Sequence, residues 1–211
     1  MKVTDGDAGS VGSPYYGLLD LSAESTIFVA PRGTNNTWPG GADITFVETL
    51  LEYLEGELCI DTSRIFAEGF DMGGSMSDSL ACSMGDVFRG VAVHSGGSMS
   101  GCAAHDTPAA YFMTHGINDG TCTYPAYGVP QLADFARVNG CTDPDPNQDN
   151  DSFAAALGTP TDPGGNNPVC TEFTGCMEGY PVRSCIFVGD HTPTPGNGWI
   201  PGEVWEFLTR F

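Results

Sequence analysis

Basic residues are scarce in this sequence. Lysine and arginine number 7 of 211 residues against 27 aspartates and glutamates, which gives a formal net charge of −20. A surface of this sign repels phosphate backbones and anionic lipid, so nucleic-acid and membrane-surface partners are not expected. The balance suits a protein that works in an acidic or polysaccharide-rich medium.

Long apolar runs are missing as well. No stretch is long and apolar enough to cross a membrane. Residues 1–14 read MKVTDGDAGSVGSP and lack the apolar centre of a secretory signal peptide. We therefore expect neither a membrane anchor nor a leader in this sequence.

The sequence has no C-x-x-C pair, which leaves zinc-ribbon and thioredoxin-type sites without support. It nevertheless has eight cysteines, and their even number and scatter favour disulfides formed in an oxidising compartment. Glycosylation sequons at Asn35 and Asn150 are compatible with a secreted, extracellular glycoprotein. The pairing of the cysteines cannot be read from their spacing.

Apolar β-branched runs alternate with segments of helical periodicity along the whole chain. This order predicts one α/β domain over residues 1–211, with a mostly parallel sheet covered by helices on both faces. A segment rich in Pro, Gly, Asn and Asp, at about 141–176, predicts a loop-rich insert without regular structure. Strands are predicted at 25–31, 64–70 and 91–94, in a segment that ends near residue 115, and within 181–191. Helices are predicted at 43–59, 73–84, 129–139 and 201–211.

The strand in IFAEGFDMGG leads into a sharp glycine-rich turn and then a helix. This is the shape of a nucleophile elbow, G-x-S-x-G, except that Asp71 stands where serine is usual. Asp119 and His191 follow two later predicted strands, so the chain order is elbow, acid, histidine, which is the order of α/β-hydrolases. Because ligands bind beyond the carboxyl ends of parallel strands, these three residues are the candidate catalytic group.

Each member of such a group has a defined role. The histidine takes the proton of the attacking group and later returns it, while the acid fixes the imidazole tautomer and stabilises its charged form. The backbone N–H of the residue after the elbow, here Met72, forms half of an oxyanion hole. These roles are assigned to His191, Asp119 and Met72.

Several longer segments together are specific for a family. The segments YYGLLDLSAESTIFVAPRG, RIFAEGFDMGGSMSDSLACSMGDVFRGVAVHSGG, THGIND and WIPGEVWEFLTRF resemble the fungal secreted feruloyl esterases. These are α/β-hydrolases of carbohydrate esterase family 1, related to polyhydroxybutyrate depolymerases. The resemblance runs from about Tyr15 to Phe211 and implies release of hydroxycinnamic acids from plant cell-wall esters. By resemblance Asp119 is the triad acid, His191 is the triad histidine, and Asp71 falls on the serine.

Two departures from the family bear on activity. Asp71 replaces the nucleophile, a loss that costs on the order of a million-fold in rate in a studied protease. Family members also carry strands and a His-Gly oxyanion loop before the YYGL segment, so the first strands are expected to be missing here. Losing one oxyanion donor costs roughly 100- to 1000-fold. We therefore expect impaired ester turnover.

The resemblance further implies structural bridges at Cys59, Cys82 and Cys102.

Two alternatives remain open. Asp71 can act as a true nucleophile on an alkyl carbon, as in haloalkane dehalogenases and epoxide hydrolases. Alternatively, the scaffold can be a non-catalytic carbohydrate-binding protein. Trp38 and Tyr124, with Tyr127, are the candidate substrate-binding aromatics, although such side chains more often cover core edges.

No cofactor and no metal are expected. The four histidines lack metal-ligand spacing, and the three besides His191 are interpreted as structural or solvated residues. Ser75 and Ser77 fall on the helix after the elbow and are interpreted as structural hydroxyls. The expected partner is a feruloylated polysaccharide or a small hydroxycinnamoyl ester, bound by a monomer.

Overall fold

The computed structural model describes residues 14–102 and 105–211, and within them lies one five-stranded sheet. The strand order is β1-β2-β3-β5-β4; neighbours are parallel except β4, which runs antiparallel to β5. The expectation that no leader is present falls on residues 1–13, which lie outside the described residues. The strands are β1 (Phe66–Phe70), β2 (Gly90–His94), β3 (Ala110–Gly116), β4 (Val169–Glu172) and β5 (Val182–Phe187).

Helices cover both faces of this sheet. The larger apolar core lies between one face and α2, α3 and α4, and a second core lies between the other face and α1 and α6. Every residue of β2 and β3 is buried, as expected for central parallel strands covered twice. The helices are α1 (Leu18–Ser22), α2 (Gly41–Glu57), α3 (Met72–Ser83), α4 (Val129–Val138), α5 (Asn150–Ala156) and α6 (Ile200–Leu208), with 3₁₀ turns at Pro14–Gly17, Thr34–Asn36 and Ser98–Ser100 and a π-helical turn at Tyr124–Gly128.

The expected α/β architecture is confirmed, but the strand predicted at 25–31 is wrong. Residues 25–30 take no part in strand pairing, and Ile27 is 49% exposed. A strand needs a hydrogen-bonded neighbour, and none of the described strands pairs with this segment. It borders a cavity of about 340 Å³ that also touches α2 and the outer strand β1.

The segment 141–176 has more regular structure than its composition predicts. Asp149 begins α5 as its N-cap, because its carboxylate accepts the backbone N–H of Ser152 at 3.0 Å. The same segment contains β4, which pairs with β5. The expectation of no regular structure fails at α5 and β4, where capping and strand pairing override local composition, while most of the segment is loop as predicted.

Three disulfides join Cys82 to Cys102, Cys141 to Cys176 and Cys170 to Cys185. The first confirms bridging at two of the three cysteines in family-like segments. Cys59 is exposed and free, which contradicts the bridge expected there, and Cys122 is a buried free thiol. Both sequon asparagines are exposed. Within the described part of the chain, no helix is long and apolar enough to cross a membrane.

A buried aspartate on the elbow helix predicts a pH effect on stability. Asp78 of α3 is 4% exposed, and its Oδ1 accepts the hydroxyl of Tyr111 at 3.0 Å. Burial raises the pKa of Asp78 from 3.8 to about 7, although the Tyr111 hydrogen bond opposes the shift. Between about pH 4 and 7 the folded protein therefore holds a proton that the unfolded chain has lost, so this contribution to stability falls as pH rises.

We expect Asp78→Asn to remove this decline. The variant and the parent should have the same free energy of unfolding near pH 4. Near pH 8 the variant should be more stable by up to about 4 kcal/mol, which is the equivalent of the pKa shift. Denaturant unfolding at both pH values measures the difference. Asp86→Asn is the matched control, because Asp86 is exposed in the turn that follows α3. A pH-independent difference between Asp78→Asn and the parent would rule out this role.

Candidate active site

Asp71 occupies the bend between β1 and α3. Its backbone has φ 54° and ψ −119°, a strained conformation for a residue with a side chain. Its N–H donates to the carbonyl of His94 at 3.1 Å, which joins the bend to β2. The strain is typical of a nucleophile elbow, because it projects the side chain of the bend residue away from the sheet.

Small residues let the elbow helix approach β2. A Cβ on Gly74 would lie 3.0 Å from the carbonyl oxygen of His94 and 3.1 Å from the Cα of Gly96. Ser75 Oγ donates to the carbonyl of Asp71 and accepts the N–H of Gly97 at 3.1 Å. Ser77 Oγ donates to the carbonyl of Gly73 at 3.0 Å. The interpretation of both serines as structural hydroxyls is confirmed.

His191 lies between two carboxylates. Its Nδ1 is 2.7 Å from Oδ2 of Asp119, and its Nε2 is 3.2 Å from Oδ1 of Asp71. The side chains of His191 and Asp71 are 17% and 25% exposed, whereas that of Asp119 is fully buried. Phe70 packs against the imidazole, with ring centroids 4.5 Å apart. The structure therefore brings together the three residues expected from chain order.

The loops that carry Asp119 and His191 hold each other in place. Asp119 Oδ1 accepts the backbone N–H groups of Thr121 and Cys122, both at 2.8 Å. Asp190 Oδ1 accepts the N–H of Gly120 at 3.1 Å and that of His191 at 2.8 Å, and these bonds lower the pKa of Asp190. The relative position of acid and histidine is thus fixed by backbone contacts in addition to the bond between their side chains.

The close approach of these loops also requires a glycine. A Cβ on Gly116, the last residue of β3, would lie 2.5 Å from the carbonyl oxygen of Gly189 and 2.6 Å from that of Asp190. Both distances are shorter than a real contact allows, so any side chain here would displace the segment before His191. Gly116 therefore sets the spacing between the two loops.

Cys122 is a residue of this site that no sequence pattern singled out. Its Sγ lies 3.7 Å from Oδ1 of Asp71, although 51 residues separate them. Burial, and then the carboxylates of Asp71 and Asp119, raise the pKa of the thiol to about 12. His115 donates from Nε2 to the carbonyl of Cys122 at 2.6 Å, which confirms that His115 supports this loop.

Trp38 and Tyr124 do not line the site. Trp38 is 0% exposed and belongs to the larger core, so its selection as a substrate-binding residue is wrong for this structure. Tyr124 is 6% exposed and packs against His115, with ring centroids 5.4 Å apart. Both rings are covered because apolar packing outweighs their polar tips, so neither offers a face to a ligand.

Met72 and His94 are two further residues that the sequence analysis considered. Met72 is the first residue of α3, so its N–H is among the helix amides without an intrahelical acceptor. His94 is fully buried and contacts Thr114 Oγ1 at 2.8 Å and Glu68 Oε1 at 3.1 Å. The interpretation of His94 as a hydrogen-bonded core residue is confirmed.

Comparison with known proteins decides the family. The chain is 39% identical over 200 residues to a probable feruloyl esterase C of Aspergillus clavatus, covering 92% of this chain and 68% of that protein. It is 38% identical over 220 residues to feruloyl esterase D of Neurospora crassa, covering 100% of this chain and 71% of the relative. The chain belongs to the feruloyl esterase family. No family model matches the sequence.

Solved structures agree with the fold of this feruloyl esterase family member. An acetyl xylan esterase from Aspergillus awamori superposes with a TM-score of 0.64 at 15% identity, covering 99% of this chain and 88% of the other. A ferulic acid esterase superposes with a TM-score of 0.52 at 16% identity, covering 99% and 83%. At these identities the superpositions establish the α/β-hydrolase fold alone.

The curated relatives are named feruloyl esterases, so this chain has carboxylic ester hydrolases as its homologues. In a serine hydrolase the elbow hydroxyl donates its proton to the histidine. Asp71 offers a carboxylate at the same place, and an ionised carboxylate only accepts hydrogen bonds. A hydrogen bond between Nε2 of His191 and Oδ1 of Asp71, which lie 3.2 Å apart, therefore needs a hydrogen on one of these two atoms.

Proposed function

We propose that this chain is a feruloyl-esterase-type hydrolase whose ester turnover is impaired by Asp71. The observation that carries the proposal is the placement of His191, which contacts Asp119 on one side and the elbow residue on the other. Asp119 and His191 serve as triad acid and base, and the N–H of Met72 faces the developing oxyanion. The attacking group differs from that of a working serine hydrolase.

The impairment follows from the chemistry of a carboxylate at the elbow. Attack by Asp71 on an ester carbonyl would form a bond to carbon, expel an alkoxide and leave a mixed anhydride, a product higher in energy than the ester. A carboxylate also has no proton to give His191, so the histidine cannot act as general base toward it. Both effects raise the barrier of the first step.

The substrate class proposed is the hydroxycinnamoyl ester, either small or attached to plant cell-wall polysaccharide. It rests on the names of the curated relatives, which are feruloyl esterases at 38–39% identity. Three disulfides and the strongly acidic composition support secretion to an extracellular, polysaccharide-rich medium. We further propose that residues 1–211 act as one monomeric domain that carries the 141–176 segment as an insert.

We expect hydrolysis of methyl ferulate by the chain to be close to that of its His191→Asn variant. Each should be far below the ordinary kcat of about 10 s⁻¹, because neither has a competent pair of nucleophile and base. Release of ferulate is followed by absorbance at matched enzyme concentrations. A parent rate near that ordinary kcat, lost in His191→Asn, would contradict the proposed impairment.

A second function is favoured by the same contact between Asp71 and His191. An elbow aspartate can attack an alkyl carbon of a halide or epoxide, after which histidine activates water to hydrolyse the alkyl ester. Mass spectrometry after incubation with an epoxide tests this, and His191→Asn should accumulate the adduct on the peptide that contains Asp71. Absence of an adduct in both proteins removes this function. The carbohydrate-binding alternative stays a prediction, without support from the buried Trp38.

A further inference from the structure

Three donor atoms of different chemical types converge at the elbow. Among the described residues, one ligand atom each from Asp71, Cys122 and His191 lies within 4.8 Å of the other two. The side chains come from the bend after β1, the loop after β3 and the loop after β5. We propose that these residues form a binding site for one zinc-like divalent cation, a property that does not depend on ester hydrolysis.

The separations match those that zinc imposes on its ligands. Zinc bonds of about 2.1 Å to oxygen or nitrogen and about 2.3 Å to sulfur, at tetrahedral angles, give about 3.4 Å between O and N and about 3.6 Å between O and S. Asp71 Oδ1 lies 3.2 Å from His191 Nε2 and 3.7 Å from Cys122 Sγ. The sulfur of Cys122 and the imidazole nitrogen lie within 4.8 Å of each other.

The surrounding contacts orient two of the three ligands. Asp119 Oδ2 accepts the Nδ1–H of His191 at 2.7 Å, which directs Nε2 toward Asp71 and the position of the metal. The other oxygen of Asp119 accepts the N–H of Cys122, and His115 holds the carbonyl of the same cysteine. This is the carboxylate–histidine arrangement that supports metal ligands in proteins, with the thiol fixed by the same acid.

The electrostatics of the site also call for a cation. The 3.2 Å contact between Nε2 of His191 and Oδ1 of Asp71 holds one hydrogen, which a metal ion displaces when it binds both atoms. Two bonds to the metal replace this one hydrogen bond, and the carboxylate of Asp71 with the thiolate formed at Cys122 balances the charge of a divalent ion. The N-terminus of α3 opposes a cation, but the effect of a helix dipole is weak beside bonds between the metal and its ligands.

The mixture of ligands selects the kind of metal. Imidazole, thiolate and carboxylate together suit zinc and exclude calcium and magnesium, which take oxygen ligands. Three protein ligands leave one tetrahedral position, and the partial exposure of Asp71 and His191 opens it toward solvent. A second cluster, of Cys170, Cys185 and Glu203, is not such a site because its two cysteines form a disulfide.

The test uses the full chain with its three disulfides intact, freed of metal and titrated with zinc sulfate in a calorimeter. We expect one zinc per chain. Cys122→Ser should lose the binding, and Asp119→Asn should weaken it about 10- to 100-fold through the orientation of His191. Cys59→Ser, at the other free cysteine, is the matched control and should bind like the parent. Cobalt should give a thiolate charge-transfer band that is absent in Cys122→Ser.

Three results would overturn the proposal. Zinc binding unchanged in Cys122→Ser would place the metal elsewhere, and a parent chain with reduced Cys122 that takes up no zinc would show that no site exists. A disulfide between Cys59 and Cys122 in the purified protein would remove the ligand. If Cys122→Ser does not fold, the cobalt band of the parent and the affinity of Asp119→Asn still decide the outcome.

Discussion

Asp71→Ser is expected to raise the hydrolysis of methyl ferulate by roughly 10³- to 10⁶-fold, because loss of a triad nucleophile costs on the order of a million-fold. The elbow backbone at residue 71 is already in the strained conformation, and His191 Nε2 lies 3.2 Å from the side chain there. A serine hydroxyl at this place can donate its proton to Nε2 while its oxygen attacks the ester carbonyl. Steady-state kcat/KM for the two proteins measures the gain.

Two further variants separate nucleophilic attack from relief of charge repulsion. Asp71→Ala also removes the carboxylate but supplies no nucleophile, so it should show no comparable gain. His191→Asn in the Asp71→Ser background should return the rate to that of the parent. Equal rates for Asp71→Ser and Asp71→Ala would contradict the assignment of residue 71 as the attacking position.

Asp119→Asn in the Asp71→Ser background is expected to lower kcat by about 10⁴-fold, the size of the effect when a triad aspartate becomes an amide in a serine protease. Asp119 Oδ2 accepts the Nδ1 proton of His191 at 2.7 Å. The amide can present its N–H₂ group instead, which would favour the wrong imidazole tautomer. The measurement is kcat for methyl ferulate across a pH series.

The control for this second effect is Asp190→Asn. Asp190 accepts the N–H of His191 and of Gly120, so its loss loosens the same loops without touching the imidazole tautomer. A much smaller loss of kcat is expected for this change. If Asp119→Asn and Asp190→Asn lowered kcat equally, Asp119 would be only a structural support of the loop.

The sequence predicted the part of the fold in which local pattern and tertiary packing agree. Strands β2 and β3 are largely apolar and every residue in them is buried, and α2 and α4 carry apolar residues at helical spacing. Chain order alone then brought Asp71, Asp119 and His191 to one edge of the sheet. Their convergence was predictable because parallel strands present their carboxyl ends together.

The errors have a common physical cause, which is that a neighbour distant in sequence decides the outcome. Residues 25–31 have the composition of a strand but no described strand pairs with them. Trp38 is an aromatic residue of the kind that can stack on a ligand, but it is buried in the core. Cys122 enters the site because the loop after β3 turns back toward Asp71, and spacing along the chain carries no signal of that turn.

The most direct test of the central claim, that residue 71 faces a working histidine–acid pair, is the labelling of the Asp71→Ser variant with a fluorophosphonate, read by peptide mass spectrometry. The structure predicts one adduct per chain, on the hydroxyl introduced at position 71, and its loss when His191→Asn is added. Labelling of Ser75 or Ser77 instead, or none at position 71 in a folded protein, would contradict the claim.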